Sequence, residues 1–120
     1  MSHIQAEIEV AKKLGFKIAA HIGETRDSIS AAGPMLKLTD RIGHGTFLVK
    51  DQVPFGSDVP FELCPTSNVI NKTVDSYQTH HFGQLYRKGH PLVICTGQTR
   101  YYPDSYFRIH ILSVIFMTHK

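Results

Sequence analysis

Apolar positions recur at helical spacing near the start of the chain, where Ile4, Ile8, Ala11 and Leu14 share one face and charged residues occupy the other. Gly15 ends the run, so the pattern predicts an amphipathic helix over residues 4 to 14. Phe16 to Ala20 form a short apolar stretch that stops at His21-Ile22-Gly23-Glu24, which predicts a strand entering a loop. A second helix is expected within residues 26 to 38, weakened by Gly33-Pro34. Asp40-Arg41-Ile42 then leads into Gly43-His44-Gly45, a short buried strand ending in a polar residue flanked by glycines. Residues 50 to 58 read as a loop. A third strand, Phe61 to Cys64, runs into Pro65-Thr66-Ser67-Asn68. A fourth, Pro91 to Cys95, runs into Thr96-Gly97, and a helix from about His80 to Lys88 separates the two.

Short apolar strands alternating mostly with helical patterns indicate βα units and a parallel sheet, so the fold class is α/β. Three of the four strands end in polar groups, and parallel α/β folds place their chemistry at the C-terminal ends of strands. A doubly wound sheet would place it at a topological switch point instead. A complete (β/α)8 barrel needs roughly 250 residues. With 120 residues the chain is expected to supply about half of one. A small complete nucleotide-binding domain is disfavoured because no G-x-G-x-x-G or P-loop sequence occurs.

Composition changes this picture little. Hydrophobic residues make up 42% and charged residues 19%, as expected for one globular domain. The net charge of +3 is spread over basic residues that stand singly or in pairs, so no nucleic-acid partner is expected. No apolar run approaches the roughly 20 residues that cross a bilayer, and the nine from Ile109 to Met117 read as a short strand or an exposed tail. No membrane association is expected, and the first residues lack a signal-peptide core, so the location expected is cytoplasmic. Cys64 and Cys95 show no CxxC pairing and read as reduced, buried small hydrophobes rather than metal thiolates.

Eight histidines direct attention to metal and proton chemistry. A histidine at a strand end can aim a ring nitrogen into a barrel mouth, and a carboxylate three residues later sits in the loop above the same cavity. His21 and Glu24 have that arrangement, which suits metal-assisted hydrolysis. Taken alone, His21 also reads as a hydrogen-bonded core histidine, Glu24 as an exposed loop carboxylate and His44 as a turn residue between glycines. His80 and His81 read as helix-face or capping residues beside Phe82.

Together, His21-Ile22-Gly23-Glu24, Arg41-Ile42-Gly43-His44-Gly45, Glu62-Leu63-Cys64-Pro65-Thr66-Ser67-Asn68 and His80-His81-Phe82-Gly83 resemble the adenosine and AMP deaminase family, in order and in spacing. The match is nearest to the adenosine deaminase-like branch that acts on N6-methyl-AMP. The resemblance implies a partial (β/α)8 TIM barrel of the metal-dependent hydrolase type, with about four parallel strands and intervening helices. It implies Zn2+ as cofactor with His21 as a metal ligand, Glu24 as proton donor to the purine ring, and His44 as the group that orients or deprotonates the water. The partner implied is a purine nucleoside monophosphate. The family also carries an H-x-H pair on its first strand, which is absent here, and two aspartates after the equivalent of Thr96, where this chain has Gly97 and Gln98. Residues 1–96 are therefore expected to be the C-terminal half of a deaminase barrel and residues 97–120 an unrelated tail. A chain so divided is expected to be inactive alone. The alternative is a non-catalytic interaction protein, self-associating through the open sheet edges of a half barrel.

Overall fold

The computed structural model describes residues 3–95 and a terminal strand at Val114–Met117. Helix α1 (His3–Lys13) leads to strand β1 (Ala19–Ile22); a 3-10 segment (Arg26–Ala31) and helix α2 (Ala32–Leu38) lead on to β2 (Arg41–His44). Helix α3 (Thr46–Lys50), β3 (Phe61–Leu63), α4 (Pro65–Ile70), α5 (Phe82–Arg87) and β4 (Leu92–Cys95) follow, and β5 is Val114–Met117.

The sheet order is β1-β2-β3-β4-β5, with the first four strands parallel and β5 antiparallel to β4. Sequential order without reversal is what a barrel wall requires and what a doubly wound sheet lacks. The four expected parallel strands are present, and among the described residues they form an open sheet rather than a closed barrel. In β2, Ile42, Gly43 and His44 are all buried, as expected for a parallel strand covered on both faces. Ile22, Ile42, Leu48, Phe61, Leu85 and Leu92 form the centre of the core.

Local differences from the sequence pattern have local causes. The expected helix within 26 to 38 is split: a 3-10 segment covers its first half, and Pro34 falls in the first turn of α2, where its missing N–H breaks no helical bond. Thr46–Lys50, to which the pattern assigned no element, wind into α3, and the expected loop follows directly. Pro65 opens α4, directly after β3, at the one helical position where proline is pre-organised. The expected apolar stripe is covered only at its middle: Ile8 and Ala11 are half-buried, while Ile4 at 63% and Leu14, just past the end of α1, at 73% are exposed. The helix is also tied down by polar groups: Lys12 Nζ donates to Leu38 O at 2.9 Å and to Asp40 Oδ2 at 3.1 Å. Asp40 Oδ2 also accepts the Ile18 N–H at 2.8 Å, and that bond, then Lys12, holds its carboxyl below the usual range.

Candidate functional site

Parallel register sets the site. His21 lies beside Gly43, and Ile22 beside His44, so the ends of β1 and β2 are level. After Ile22 the chain turns at Gly23, whose φ of 68° is left-handed, and Glu24 is returned over the strand ends. His44 and Gly45 are also left-handed, at φ 65° and 63°. A β-carbon at Gly45 would run into the ring of Phe61, so glycine is required there by both space and conformation. The two turns are tied together: Gly45 N–H donates to Ile22 O at 3.1 Å, and Phe47 N–H to Gly23 O at 2.8 Å.

These turns bring His21, Glu24 and His44 into one cluster, each offering one ligand atom, all within 4.8 Å of one another. The His21 and His44 rings meet edge to face with centroids 4.7 Å apart. Gly43 makes room for this, since a β-carbon there would strike the His21 imidazole. His44 Nε2 lies 3.6 Å from Glu24 Oε1. Burial pushes the His44 pKa down; the Glu24 carboxylate partly offsets this and His21 adds to it. His21 is exposed, and no hydrogen bond holds its ring among the described residues, so its nitrogens are free to ligate.

Behind His44 lies a buried polar layer that local pattern did not reveal. Asn68 is fully buried, and its Nδ2 stands 3.1 Å from His44 Nδ1. His80 Nε2 lies 2.9 Å from Asn68 Oδ1, and His81 Nε2 is 2.7 Å from the His44 carbonyl. The expected capping role is half right: Phe82 N–H donates to His80 Nδ1 at 2.9 Å, at the start of α5. Yet both rings are buried against the site rather than set on a helix face, because their second contacts come from β2 and α4. Burial drives His80 down to about 3 and His81 down to about 4, so both are neutral. His81 Nδ1 is buried without a hydrogen-bond partner among the described residues.

The family model described as adenosine deaminase matches residues 1–109 of this chain. The chain belongs to the adenosine deaminase family. Among curated relatives in it, N6-methyl-AMP deaminase of Danio rerio is 44% identical over 102 residues, covering 76% of this chain and 29% of the relative. The mouse N6-methyl-AMP deaminase is 47% identical over 95 residues, covering 72% of this chain and 26% of the relative. Among solved structures, an Arabidopsis N6-mAMP deaminase superposes with a TM-score of 0.67 at 29% identity, covering 90% of this chain and 34% of that one. Arabidopsis ADAL complexed with IMP superposes at 0.64 and 30% identity, covering 87% of this chain and 33% of that one. The chain thus spans between a quarter and about a third of the length of these deaminases. Its four parallel strands are a partial TIM-type barrel of this metal-dependent hydrolase family, and the family match runs past Thr96, to residue 109.

The deaminase motifs that carried the resemblance all converge here, including the two to which no catalytic or metal-binding role was assigned. Asn68 was visible only as the last letter of Cys64-Pro65-Thr66-Ser67-Asn68, and nothing local marks it as more than a turn residue. The cysteines depart from expectation in one respect. Both are free, but they are only partly buried, and the neighbouring Cys95 thiol, together with burial, pushes Cys64 up. Thr96, Gly97 and Gln98 lie outside the described residues. Among the described residues no helix is long and apolar enough to cross a membrane.

Proposed function

We propose that this chain carries the proton-transfer side, and one histidine ligand, of a zinc-dependent N6-methyl-AMP deaminase, which takes up water and releases methylamine from carbon 6 to leave IMP. The observation that supports this most directly is the convergence of His21, Glu24 and His44 within 4.8 Å at the C-terminal ends of two adjacent parallel strands. The donor chemistry fits zinc: an exposed imidazole with unclaimed nitrogens stands beside a carboxylate and a second, neutral imidazole. His21 would hold the ion, which when bound supplies the Lewis acidity that makes water a nucleophile near neutral pH. Glu24 delivers a proton to the purine ring nitrogen, and His44 orients or deprotonates the attacking water. The nucleotide assignment draws support from relatives named for N6-methyl-AMP and from neighbours complexed with IMP and GMP.

One histidine ligand is fewer than the three protein ligands a catalytic zinc ordinarily takes, so the purified chain is expected to show no turnover of N6-methyl-AMP. Co-expression with the preceding part of a relative, and with the relative's aspartate-containing segment in place of residues 97–120, is expected to restore it. Neither addition suffices alone. In the restored complex, Glu24→Gln keeps zinc and loses turnover, and His21→Ala loses both. Near-normal turnover in both variants would overturn the assignment, and turnover by the chain alone that His21→Ala abolishes would overturn the ligand count.

The outer edge of β1 has no strand beside it among the described residues, which favours self-association of the chain on its own. Size-exclusion chromatography is expected to show oligomers, and a sharp monomer peak with cooperative unfolding would argue against this.

A further inference from the structure

A directed series of hydrogen bonds runs from the backbone of α5 to the catalytic face of His44. Its direction follows from its first member. The Phe82 backbone N–H can only donate, so His80 Nδ1, 2.9 Å away, must accept. A neutral imidazole that accepts at one nitrogen carries its proton on the other, so His80 donates from Nε2. The atom of Asn68 facing it, at 2.9 Å, is therefore the carbonyl oxygen. That turns the amide nitrogen of Asn68 toward His44 Nδ1 at 3.1 Å, and an amide N–H can only donate. His44 Nδ1 accepts, and the proton of the neutral ring must sit on Nε2, the nitrogen 3.6 Å from Glu24.

We propose that Asn68 and His80 are positioning residues that lock His44 in its Nε2–H tautomer, so that His44 presents a hydrogen-bond donor to the attacking oxygen rather than a lone pair that takes its proton. Two features of the site suit this role. Asn68 is fully buried, so water does not compete for either of its bonds. His44 is held at its backbone as well, by the 2.7 Å bond between His81 Nε2 and the His44 carbonyl. To accept a proton at Nε2, His44 would first have to shift its own to Nδ1, setting two donors against each other across the 3.1 Å contact with Asn68. Of the two roles that family resemblance leaves open for His44, orienting or deprotonating, the hydrogen-bond direction selects orienting. This rests on the deaminase reading only in making His44 part of the reaction; the tautomer itself is a property of the chain.

Long-range 1H–15N correlation of the imidazoles in the metal-free, 15N-labelled full chain reads the tautomer directly. The expected result is Nε2–H for both His44 and His80. Asn68→Asp replaces the donor facing His44 with a carboxylate oxygen that only accepts, and is expected to bring a proton onto His44 Nδ1 while the amide signals of Gly43 and Gly45 stay dispersed. His44 protonated on Nδ1 in the unaltered chain, or a His44 tautomer unchanged in folded Asn68→Asp, overturns the proposal. Should Asn68→Asp fail to fold, the wild-type tautomers decide alone. In the restored deaminase complex, Asn68→Asp is expected to lower kcat about 10- to 100-fold with KM for N6-methyl-AMP unchanged, the usual scale for groups that orient a catalytic residue. An equal rise in KM with kcat intact would mark Asn68 as merely structural and overturn the proposal. Absence of hydrolysis in the restored wild-type complex refutes the deaminase reading, and the NMR result stands apart from it.

Discussion

Two imidazoles whose ring centres lie 4.7 Å apart are held in opposite ways. His44 is 5% exposed, takes a bond at its inner nitrogen from Asn68 and another at its carbonyl from His81, and sits on a glycine turn packed against Phe61. His21 is exposed, and among the described residues nothing hydrogen-bonds its ring. The difference separates two kinds of chemistry. A group that handles protons needs a fixed tautomer and a dry setting, and the buried layer from α4 and α5 supplies both. A metal ligand gains its orientation from the ion and from the other ligands around it, so its ring need not be fixed beforehand. On the proposed reading, the proton side of the site is built within this stretch of chain, while the metal side is a single open ligand, His21.

The sharpest way to break that comparison is to remove what lies beneath His44. Phe61 is fully buried and packs against Phe55 and His90, so Phe61→Ala is expected to cost about 3–5 kcal/mol. Phe16, at 64% exposure on the β1 side, is expected to cost no more than about 0.5 kcal/mol as Phe16→Ala. Urea denaturation of both variants checks the contrast, and equal losses would erase it.

Acid should strike the buried side first. His80 titrates near 3 and His81 near 4 in the folded chain, against 6.5 for an ordinary histidine. In that interval the unfolded chain binds the extra protons, so stability is full above about pH 6.5 and falls as the pH drops toward the folded values. The two rings together are expected to account for a loss of a few kcal/mol by pH 4, since each tenfold difference in proton affinity between the folded and unfolded chain is worth about 1.4 kcal/mol. Denaturation midpoints measured against pH are expected to show this fall in the wild type and in His21→Ala alike. An acid limb unchanged by removing either buried histidine would show that burial is not its cause.

A finer probe addresses the open side. Gly43→Ala places a methyl where the His21 ring now lies, and the exposed ring can swing away, so the expected stability loss is only about 1 kcal/mol. Zinc affinity in the restored complex is nonetheless expected to fall about 10-fold or more, since the ligand is turned from its place. Thermal melting and zinc titration calorimetry separate the two effects. A small change is also expected at Asp40, where Asp40→Asn removes the charge that holds Lys12 at 3.1 Å, a partly exposed pair worth under about 1 kcal/mol. Asp40 has a lowered pKa, so its contribution is present above the ordinary carboxylate range and lost as pH falls through the lowered value.

The sequence by itself determined the alternation of strands and helices, because apolar period and glycine or proline punctuation are local signals; three of the four parallel strands lie within a residue or so of where those signals put them, while β1, expected at Phe16 to Ala20, runs from Ala19 to Ile22. It also brought forward His21, Glu24 and His44 as candidates, through their motifs and their places at strand ends. The short helices Thr46–Lys50 and Pro65–Ile70 were not legible, since one or two turns carry too few positions to show a period. Nor were the roles of Asn68, His80 and His81. Asn68 lies 24 residues from His44 and 12 from His80, while His81 lies 37 from His44. Only the parallel sheet, by stacking strand ends level and folding α4 and α5 against them, closes those separations into hydrogen bonds. Burial then decides which nitrogen holds each proton, because a polar group sealed from water must find its partner within the protein.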